Sequence, residues 1–235
     1  LDRYNQKNPD NPAAPYAVNH IVHKSNVRLE QDIDICAKWE APVWITSLGA
    51  RPEVNQVAHQ ANGIVLHDII NNFFAKKAIE KGADGLVAVA AGAGGHAGTL
   101  SPFALIQEIR EWFDGPLLLS GSIANGGAVL AAQAMGADLA YIGSAFIATD
   151  EANADQRYKE MITQSSADDI VYTNLFTGVH GNYLKGSIEA QGLDPNNLEV
   201  SDSSKMNFSS GASKPKSWKE IWGSGQGISA VKSIL

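Results

Sequence analysis

The sequence predicts an α/β fold in which parallel strands alternate with helices, giving about six units of a TIM-type (βα)8 barrel. Three observations support this prediction. Apolar runs start about every 20 to 30 residues, which is close to the length of one βα unit. Small or polar residues follow these runs, and the last runs are followed by turns rich in glycine and serine. Because all strand ends of a barrel meet at one mouth, a shared site is expected there.

The predicted strands are short apolar runs of the kind that helices bury on both faces of a parallel sheet. They cover residues 16–22, 43–47, 64–66, 86–91, 117–119 and 139–142. His67 and Asp68 follow the third run, and glycine-containing turns follow the fourth, fifth and sixth. These residues are therefore expected at the C-terminal ends of strands.

The segments between the strands carry helix start and stop signals. The first helix is expected to begin after Ser25 and to end before Pro42, since the residue before a proline avoids helical geometry. A later helix is expected to begin at Pro102, with the hydroxyl of Ser101 as its cap. Between these two, the spacing predicts a helix that turns Phe74 toward the core.

Two domains are expected, of which only the first has a regular alternation of strands and helices. Residues 1–150 form the predicted partial barrel, and residues 151–235 a helical and loop segment that packs on it. A doubly wound sheet has the same alternation of strands and helices, but converging polar strand ends favour the barrel. Eight strands are needed to close a barrel without open edges, so we expect two further strands upstream of Leu1.

Composition and charge restrict the class of protein. Hydrophobic residues make up 44% and charged residues 18% of the 235, as in ordinary globular proteins. The net charge of −7, with no cluster of Lys and Arg, argues against nucleic acid or a membrane surface as partner. No apolar run approaches the ~18 residues of a membrane span. The single cysteine, Cys36, is expected in a helix core and indicates a cytoplasmic location, and a homo-oligomer is left open.

The segment 92–99 directly follows the fourth strand and contains four glycines and two alanines. Removing side-chain bulk lets a flat ligand or a phosphate approach the backbone. His96 is the only side chain in this segment that can exchange a proton near neutral pH. A glycine-rich turn with a hydrogen-bonded histidine is the alternative interpretation of this segment alone.

Three segments together resemble the nitronate monooxygenase family, formerly called 2-nitropropane dioxygenases. They are Gly94-Gly95-His96-Ala97-Gly98, Ser120-Gly121-Ser122-Ile123, and the stretch 135–149 around Tyr141-Ile142-Gly143-Ser144. Their order and spacing carry the resemblance, which extends in weaker form over nearly the whole chain. It implies an FMN-dependent TIM barrel that oxidises alkyl nitronates or nitroalkanes with O2 to a carbonyl compound and nitrite. The N-terminal strands of the family are not found in this sequence.

The resemblance also assigns site residues. His96 matches the active-site histidine of the family, which implies that it abstracts the α-proton of a nitroalkane or hydrogen-bonds a nitronate. Gly94 matches the position at which the main chain of the family comes close to the flavin ring. The turns after the last two strands match the family's phosphate-binding loops. The implied FMN-binding residues are Asn19, Gly94, Gly121, Ser122, Tyr141, Ile142, Gly143 and Ser144.

Alternatives stay open. FMN-dependent enoyl-acyl-carrier-protein reductases share the Gly-Gly-His segment, and a chain without the N-terminal strands is also consistent with a non-catalytic fragment. His20, His67 and His180 are further candidates for the site, each with a structural role as the alternative. No set of side chains has metal-ligand spacing, so no metal site is expected. Residues 201–217 are expected to form a polar loop or lid.

Overall fold

The computed structural model describes residues 1–202 and 219–235. Its strands are β1 Ala17–Ile21, β2 Val43–Ser47, β3 Ile64–Ile69, β4 Gly85–Val89, β5 Gly95–His96, β6 Leu117–Ser120, β7 Leu139–Tyr141, β8 Ile170–Thr173 and β9 Gly181–Leu184. Its helices are α1 Asp2–Lys7, α2 Leu29–Lys38, α3 Pro52–Gln60, α4 Asn72–Glu80, α5 Pro102–Arg110, α6 Gly126–Met135, α7 Ser144–Ile147, α8 Gln156–Gln164 and α9 Lys185–Glu189. Two 3-10 turns cover Ala167–Asp169 and Gln226–Ala230.

Six parallel strands form one sheet in the order β1-β2-β3-β4-β6-β7. Each neighbouring pair is joined by a helix, which is the crossover that a parallel connection requires. The sheet is curled, so that Tyr141 at the end of one edge strand reaches Asn19 on the other edge strand and hydrogen-bonds to it. This open half-barrel confirms the predicted α/β class and the order of the six predicted strands.

The two faces of the curled sheet bury different sets of apolar side chains. On the outer face Trp44, Leu86 and Leu119 pack with buried side chains of the surrounding helices, such as Leu105. On the inner face Ile45, Leu66, Val87, Val89 and Leu118 form a smaller cluster. Because successive strand residues alternate between faces, the residues at the strand ends are sorted in the same way. The inner face leads to the mouth of the half-barrel.

A second, antiparallel sheet joins the glycine segment to the C-terminal region in the order β5-β9-β8. Gly95 pairs with Asn182, and His96 pairs with Gly181. The region 151–235, expected as helices and loops, therefore also contains a two-stranded hairpin. This hairpin fixes the segment that follows β4.

The structure corrects two boundaries in the first half of the chain. Strand β3 continues to Ile69, because its pairing with β4 extends through Ile69 and Ala88. Asp68 thus lies within the strand rather than after it. Helix α2 begins at Leu29 instead of after Ser25, whose hydroxyl lies 2.9 Å from Nδ1 of His23.

Two further helix predictions were wrong. Phe74 is 47% exposed, and the buried positions of α4 are Ala75 and Ala78. The side chain of Ser101 makes no capping hydrogen bond at the start of α5, although Pro102 takes the predicted place in its first turn. The first error concerns which face of the helix meets the core, which periodicity specifies weakly over nine residues.

Two predictions are limited by the part of the chain that the structure describes. The polar loop or lid expected at 201–217 lies almost wholly outside the described residues. Within residues 1–202 and 219–235, no helix combines the length and the apolar character needed to cross a bilayer. Cys36 is buried in α2, as the helical spacing predicts.

Candidate active site

A cavity of about 900 Å³ opens at the C-terminal ends of the parallel strands. This volume lies within the range of roughly 300–1,000 Å³ that is usual for small-molecule sites. One side, here called the backbone wall, consists of the turns 92–96, 121–122, 143–144 and 223–227. A second part of the lining, here called the side-chain wall, consists of Asn19, Ser47, Asp68 and Tyr141. The two walls offer a ligand different chemistry.

The turns of the backbone wall pack main chain against main chain. The carbonyl oxygen of Gly92 accepts a hydrogen bond from the N–H of Ser122 at 3.2 Å. A Cβ on Gly94 would lie 2.8 Å from the nitrogen of Gly225, and one on Gly227 would lie 2.7 Å from the carbonyl carbon of Ser122. These distances leave no room for a side chain, so the fold of the wall itself requires glycine at both positions.

The turn after β6 has an unusual backbone conformation. Gly121 has φ +142° and Ser122 has φ +55°, both in the region that favours glycine. A residue other than glycine held there costs free energy, and such residues cluster at ligand sites. The hydroxyl of Ser122 lies beside Gly92, where a Cβ would collide with it.

The turn after β7 is open on one side and anchored on the other. A Cβ added to Gly143 would meet no atom within 4 Å. The hydroxyl of Ser144 accepts a hydrogen bond from the N–H of Gly225 at 3.0 Å and lies 3.2 Å from the hydroxyl of Ser224. This hydroxyl thus anchors the segment 223–227, and any phosphate contact at this turn is expected from main-chain N–H groups.

His96 projects from the backbone wall and is held by the second sheet. Its Nε2 lies 2.8 Å from the hydroxyl oxygen of Thr177, and its main chain pairs with Gly181. Burial lowers the pKa of His96 to about 4, because a charged imidazolium loses hydration there. The ring is therefore neutral at pH 7 and able to accept a proton.

The hydroxyl of Thr177 ties the ring of His96 to the stretch 177–183. It donates to the carbonyl oxygen of Val179 at 3.0 Å and lies 2.8 Å from Nε2 of His96. Thr177 therefore fixes the orientation of the imidazole in the cavity.

The side-chain wall is a connected polar cluster across four strands. The hydroxyl of Ser47 donates to Oδ2 of Asp68 at 2.6 Å and lies 3.4 Å from Oδ1 of Asn19. Asn19 in turn hydrogen-bonds to the hydroxyl of Tyr141. The cluster therefore links β1, β2 and β3 to the far edge strand β7.

Asp68 has the most perturbed environment of this wall. Burial raises its pKa to about 6, and the hydrogen bond from Ser47 offsets only part of that rise. Oδ1 of Asp68 is shielded from solvent and has no hydrogen-bond partner among the described residues. Burial and the charge of Asp68 together raise the pKa of Tyr141. The carboxylate thus lacks a donor that it would need when ionised.

The structure brings most of the predicted site residues together. The cavity is lined by eight of the nine: His96, Asn19, Gly94, Gly121, Ser122, Tyr141, Gly143 and Ser144. Ile142 is not among its lining residues. The imidazole and the two late turns thus share one cavity, as the proposed chemistry requires.

The other candidate histidines have structural partners. Nδ1 of His67 lies 2.6 Å from the hydroxyl of Thr46, and burial lowers the pKa of His67 to about 4. His20 is buried with its ring 5.1 Å from that of Trp44. His180 lines the cavity and stacks on a neighbouring tyrosine with ring centroids 5.1 Å apart.

Sequence reasoning missed two residues that support the site. Thr177 contacts the imidazole of His96, and the buried side chain of Asn182 donates to the carbonyl oxygen of Ala93 at 2.7 Å. Both belong to the glycine-broken stretch 177–183. The glycines of this stretch are typical of a loop, and nothing local indicates that it pairs with the segment after β4.

Comparison with known proteins identifies the family. The family model described as nitronate monooxygenase matches residues 3–234. The chain belongs to the nitronate monooxygenase family. This match confirms the resemblance carried by the glycine segment and the two late turns.

Relatives and solved structures support the assignment to this family. The chain is 31% identical over 127 residues to a nitronate monooxygenase of Paraburkholderia phytofirmans, a match that covers 50% of this chain and 35% of that protein. A nitroalkane oxidase from Streptomyces ansochromogenes is 29% identical, with a TM-score of 0.62 over 66% of this chain and 48% of that one. FabK from Thermotoga maritima shares the fold, with a TM-score of 0.74 at 20% identity over 97% of this chain and 74% of that one. The matches to the first two proteins thus span less than half of each protein.

The residues of the cavity fit a flat ligand that carries a phosphate. Main-chain turns without side chains suit an anion, and the open space above Gly143 leaves room for it. The unpartnered Oδ1 of Asp68 marks a place where a donor group is needed. Both features match the donor and acceptor pattern expected of a flavin nucleotide.

Proposed function

We propose that this nitronate monooxygenase family member oxidises alkyl nitronates or nitroalkanes with O2 to a carbonyl compound and nitrite, with FMN as cofactor. The observation that carries this proposal is the position of His96. Its imidazole lines the same cavity as the turns 121–122 and 143–144. A proton acceptor and an anion-binding turn are thus within reach of one ligand. The 29% identical nitroalkane oxidase supports the same substrate class.

His96 acts as the proton acceptor for a neutral nitroalkane. Because its pKa is lowered to about 4, the imidazole is unprotonated throughout the neutral range. A nitroalkane is acidic at the carbon next to the nitro group, so a positioned imidazole can take that proton. The Thr177 contact at Nε2 orients the ring for this step. A nitronate that arrives already ionised has no proton to give up, so this step is not needed for it.

The two walls divide the task of holding FMN. Main-chain N–H groups of Gly121, Ser122, Gly143 and Ser144 hold the phosphate, as the family resemblance implies. Asn19 and Tyr141 also line the cavity and would contact the ring system. FMN supplies the redox chemistry when bound, taking electrons from the substrate and passing them to O2. The chain itself positions the reactants and moves one proton.

Anaerobic titration of the FMN-loaded protein tests this proposal. We expect nitronate to bleach the flavin absorbance, and NADH to leave it unchanged. Bleaching by NADH but not by nitronate would instead support an enoyl reductase, the reaction class that shares the Gly-Gly-His segment. A protein that is colourless after FMN has been added and the unbound FMN removed would support a non-catalytic fragment. Admission of O2 after bleaching should restore the absorbance, with nitrite as the measured product.

A further inference from the structure

The carboxylate of Asp68 is a polar group in the cavity to which the proposed proton transfer assigns no role. It lies on β3, two residues after Leu66, which points into the inner apolar cluster. Alternation along the strand therefore turns Asp68 toward the inner face as well, whereas His67 turns toward the helices. Asp68 lines the cavity together with Ser47 and Tyr141. Its position is thus fixed by a strand and not by a flexible loop.

The hydrogen bonding of Asp68 is incomplete. Ser47 donates to Oδ2 at 2.6 Å, while Oδ1 is shielded from solvent and accepts nothing from the described residues. No ion pair joins Asp68 to a cationic side chain in the part of the chain that the structure describes. An ionised carboxylate has only acceptor sites, so it requires N–H or O–H donors. A buried acceptor left without one destabilises the folded protein.

The neighbours of Asp68 complete a pattern for a flat ligand. Ser47 brings Asp68 next to Asn19, and Asn19 is hydrogen-bonded to Tyr141. An amide and a phenol can donate hydrogen bonds, and they line the same cavity as a carboxylate that can only accept them. The matching ligand edge carries an N–H next to a carbonyl group. The pyrimidine end of an isoalloxazine ring has this arrangement, and so do other cyclic imides.

We propose that the carboxylate of Asp68 orients FMN in the cavity by accepting the imide N–H of its pyrimidine edge, with Ser47 holding the carboxylate in place. The proposal rests on the proposed function, because it takes FMN as the ligand. It assigns a binding role to a residue that the family motifs leave out. The opposite end of the same ligand meets the glycine turns, so the two walls hold FMN by its two ends.

Binding of FMN and of FMN methylated at the imide nitrogen tests the role of Asp68. The dissociation constants of both flavins are measured from flavin fluorescence for the wild type, Asp68→Ala, Asp68→Asn and Ser47→Ala. The wild type should bind FMN at least about tenfold more tightly than the methylated flavin, since a hydrogen bond to a charged group contributes about 1.5–3 kcal/mol. Asp68→Ala should bind the two within about threefold, by the same energy scale.

Two variants separate the hydrogen bond from general damage. Asp68→Asn keeps the shape and one acceptor oxygen, so a preference between that of the wild type and that of Asp68→Ala is expected. Ser47→Ala should reduce the preference by loosening the carboxylate. Asp114→Asn removes the same charge from an exposed position before β6, at the other end of the strands, and should keep the wild-type preference.

The outcomes distinguish this proposal from the proposed function. Equal binding of both flavins by the wild type would contradict the role of Asp68 and leave FMN binding intact. An undiminished preference in both Asp68→Ala and Asp68→Asn would contradict it as well. A wild-type protein that binds neither flavin would contradict the proposed function, and the role of Asp68 with it. Circular dichroism melts of each variant establish that the folded protein is being compared.

Discussion

The two walls of the cavity are built by different means. The backbone wall holds its shape through glycines whose Cβ positions lie within 3 Å of neighbouring main-chain atoms, as at Gly94 and Gly227. The side-chain wall holds its shape through hydrogen bonds between strand-end side chains, such as Ser47 and Asp68 at 2.6 Å. A substitution in the first wall therefore acts through steric clash, while one in the second acts through charge and hydrogen bonding.

The two walls therefore differ in the ligand groups that they can recognise. Main-chain N–H groups suit any anion of the right size, so the backbone wall serves a group that many ligands share. Side chains offer a defined order of donors and acceptors, so the side-chain wall serves recognition. His96 is the exception, because it is an ionisable side chain that projects from the backbone wall. Substitutions at four positions test this difference.

Replacement of His96 should have the largest effect. His96→Asn removes the proton acceptor while keeping a polar side chain, and turnover of a neutral nitroalkane should fall roughly 10²–10⁴-fold. Turnover of a preformed nitronate should fall much less, since its proton is already gone. Steady-state nitrite release with the two substrates measures the difference. Equal losses for both substrates would assign His96 to binding instead of proton transfer.

The pH dependence of that step follows from the same residue. Because burial lowers the pKa of His96 to about 4, the imidazole stays unprotonated as the pH falls from 8 to 5. Nitroalkane turnover limited by proton abstraction should therefore show no loss from His96 protonation in that interval. A loss centred near the ordinary histidine pKa of about 6.5 that persists in Asp68→Asn, and so does not come from the Asp68 carboxyl with its pKa of about 6, would mean that the site is more hydrated than the structure indicates.

Asp68→Asn should have the next largest effect, on stability. The folded-state pKa of Asp68 is raised from 3.8 to about 6, so its contribution to stability is fully present below about pH 4 and is lost as the pH rises through 6. At one unit of pKa per 1.36 kcal/mol, the loss amounts to about 3 kcal/mol at most. Tyr141, which faces this carboxylate, has a raised pKa and does not ionise in that window.

Urea unfolding of the apoprotein at pH 4 and pH 7 measures this loss. The free energy of unfolding of the wild type, taken relative to Asp68→Asn, should decrease toward pH 7. Asp114→Asn provides the matched change in charge at an exposed site and should follow the wild type. A difference between wild type and Asp68→Asn that stays constant with pH would mean that Asp68 is not buried as the structure has it.

Gly94→Ala tests the backbone wall. Its Cβ would lie 2.8 Å from the nitrogen of Gly225 and 2.9 Å from the carbonyl carbon of Ser224, and neither main-chain atom can move alone. We expect a loss of about 1–3 kcal/mol in the free energy of unfolding, as for other overpacked sites. Gly126→Ala is the matched control, since its Cβ would meet nothing within 4 Å and it begins α6. Unchanged stability in Gly94→Ala would show that the segment 223–227 moves away from the added methyl group at little cost in free energy.

The sequence predicted the backbone wall better than the side-chain wall. Glycine turns after apolar runs are local signals, and they located Gly121 and Gly143 without any knowledge of the fold. The face on which Asp68 lies depends on where β3 ends. The apolar run ends at Leu66, and the two polar residues after it do not show that the strand continues to Ile69. His67 and Asp68 were therefore considered together, although only Asp68 turns inward.

The contacts that hold His96 and its segment could not be predicted from the sequence, for a different reason. Thr177 and His96 are 81 residues apart, and Asn182 and Ala93 are 89 apart. Their pairing depends on the antiparallel sheet formed by β5, β8 and β9, and two residues of strand in a glycine segment give no periodic signal. Long-range pairing of this kind becomes visible only when the chain is folded.

Tyr141→Phe should have the smallest effect and tests how the two edges of the curled sheet are joined. The hydroxyl of Tyr141 on β7 hydrogen-bonds to Asn19 on β1, which ties together the two edges of the curled sheet. Loss of one such bond at a partly exposed site should lower the free energy of unfolding by about 1 kcal/mol. Tyr4→Phe, at an exposed position in α1, removes the same hydroxyl and should change nothing. A loss equal to that in Tyr4→Phe would mean that the curvature of the sheet is set by inner-face packing alone.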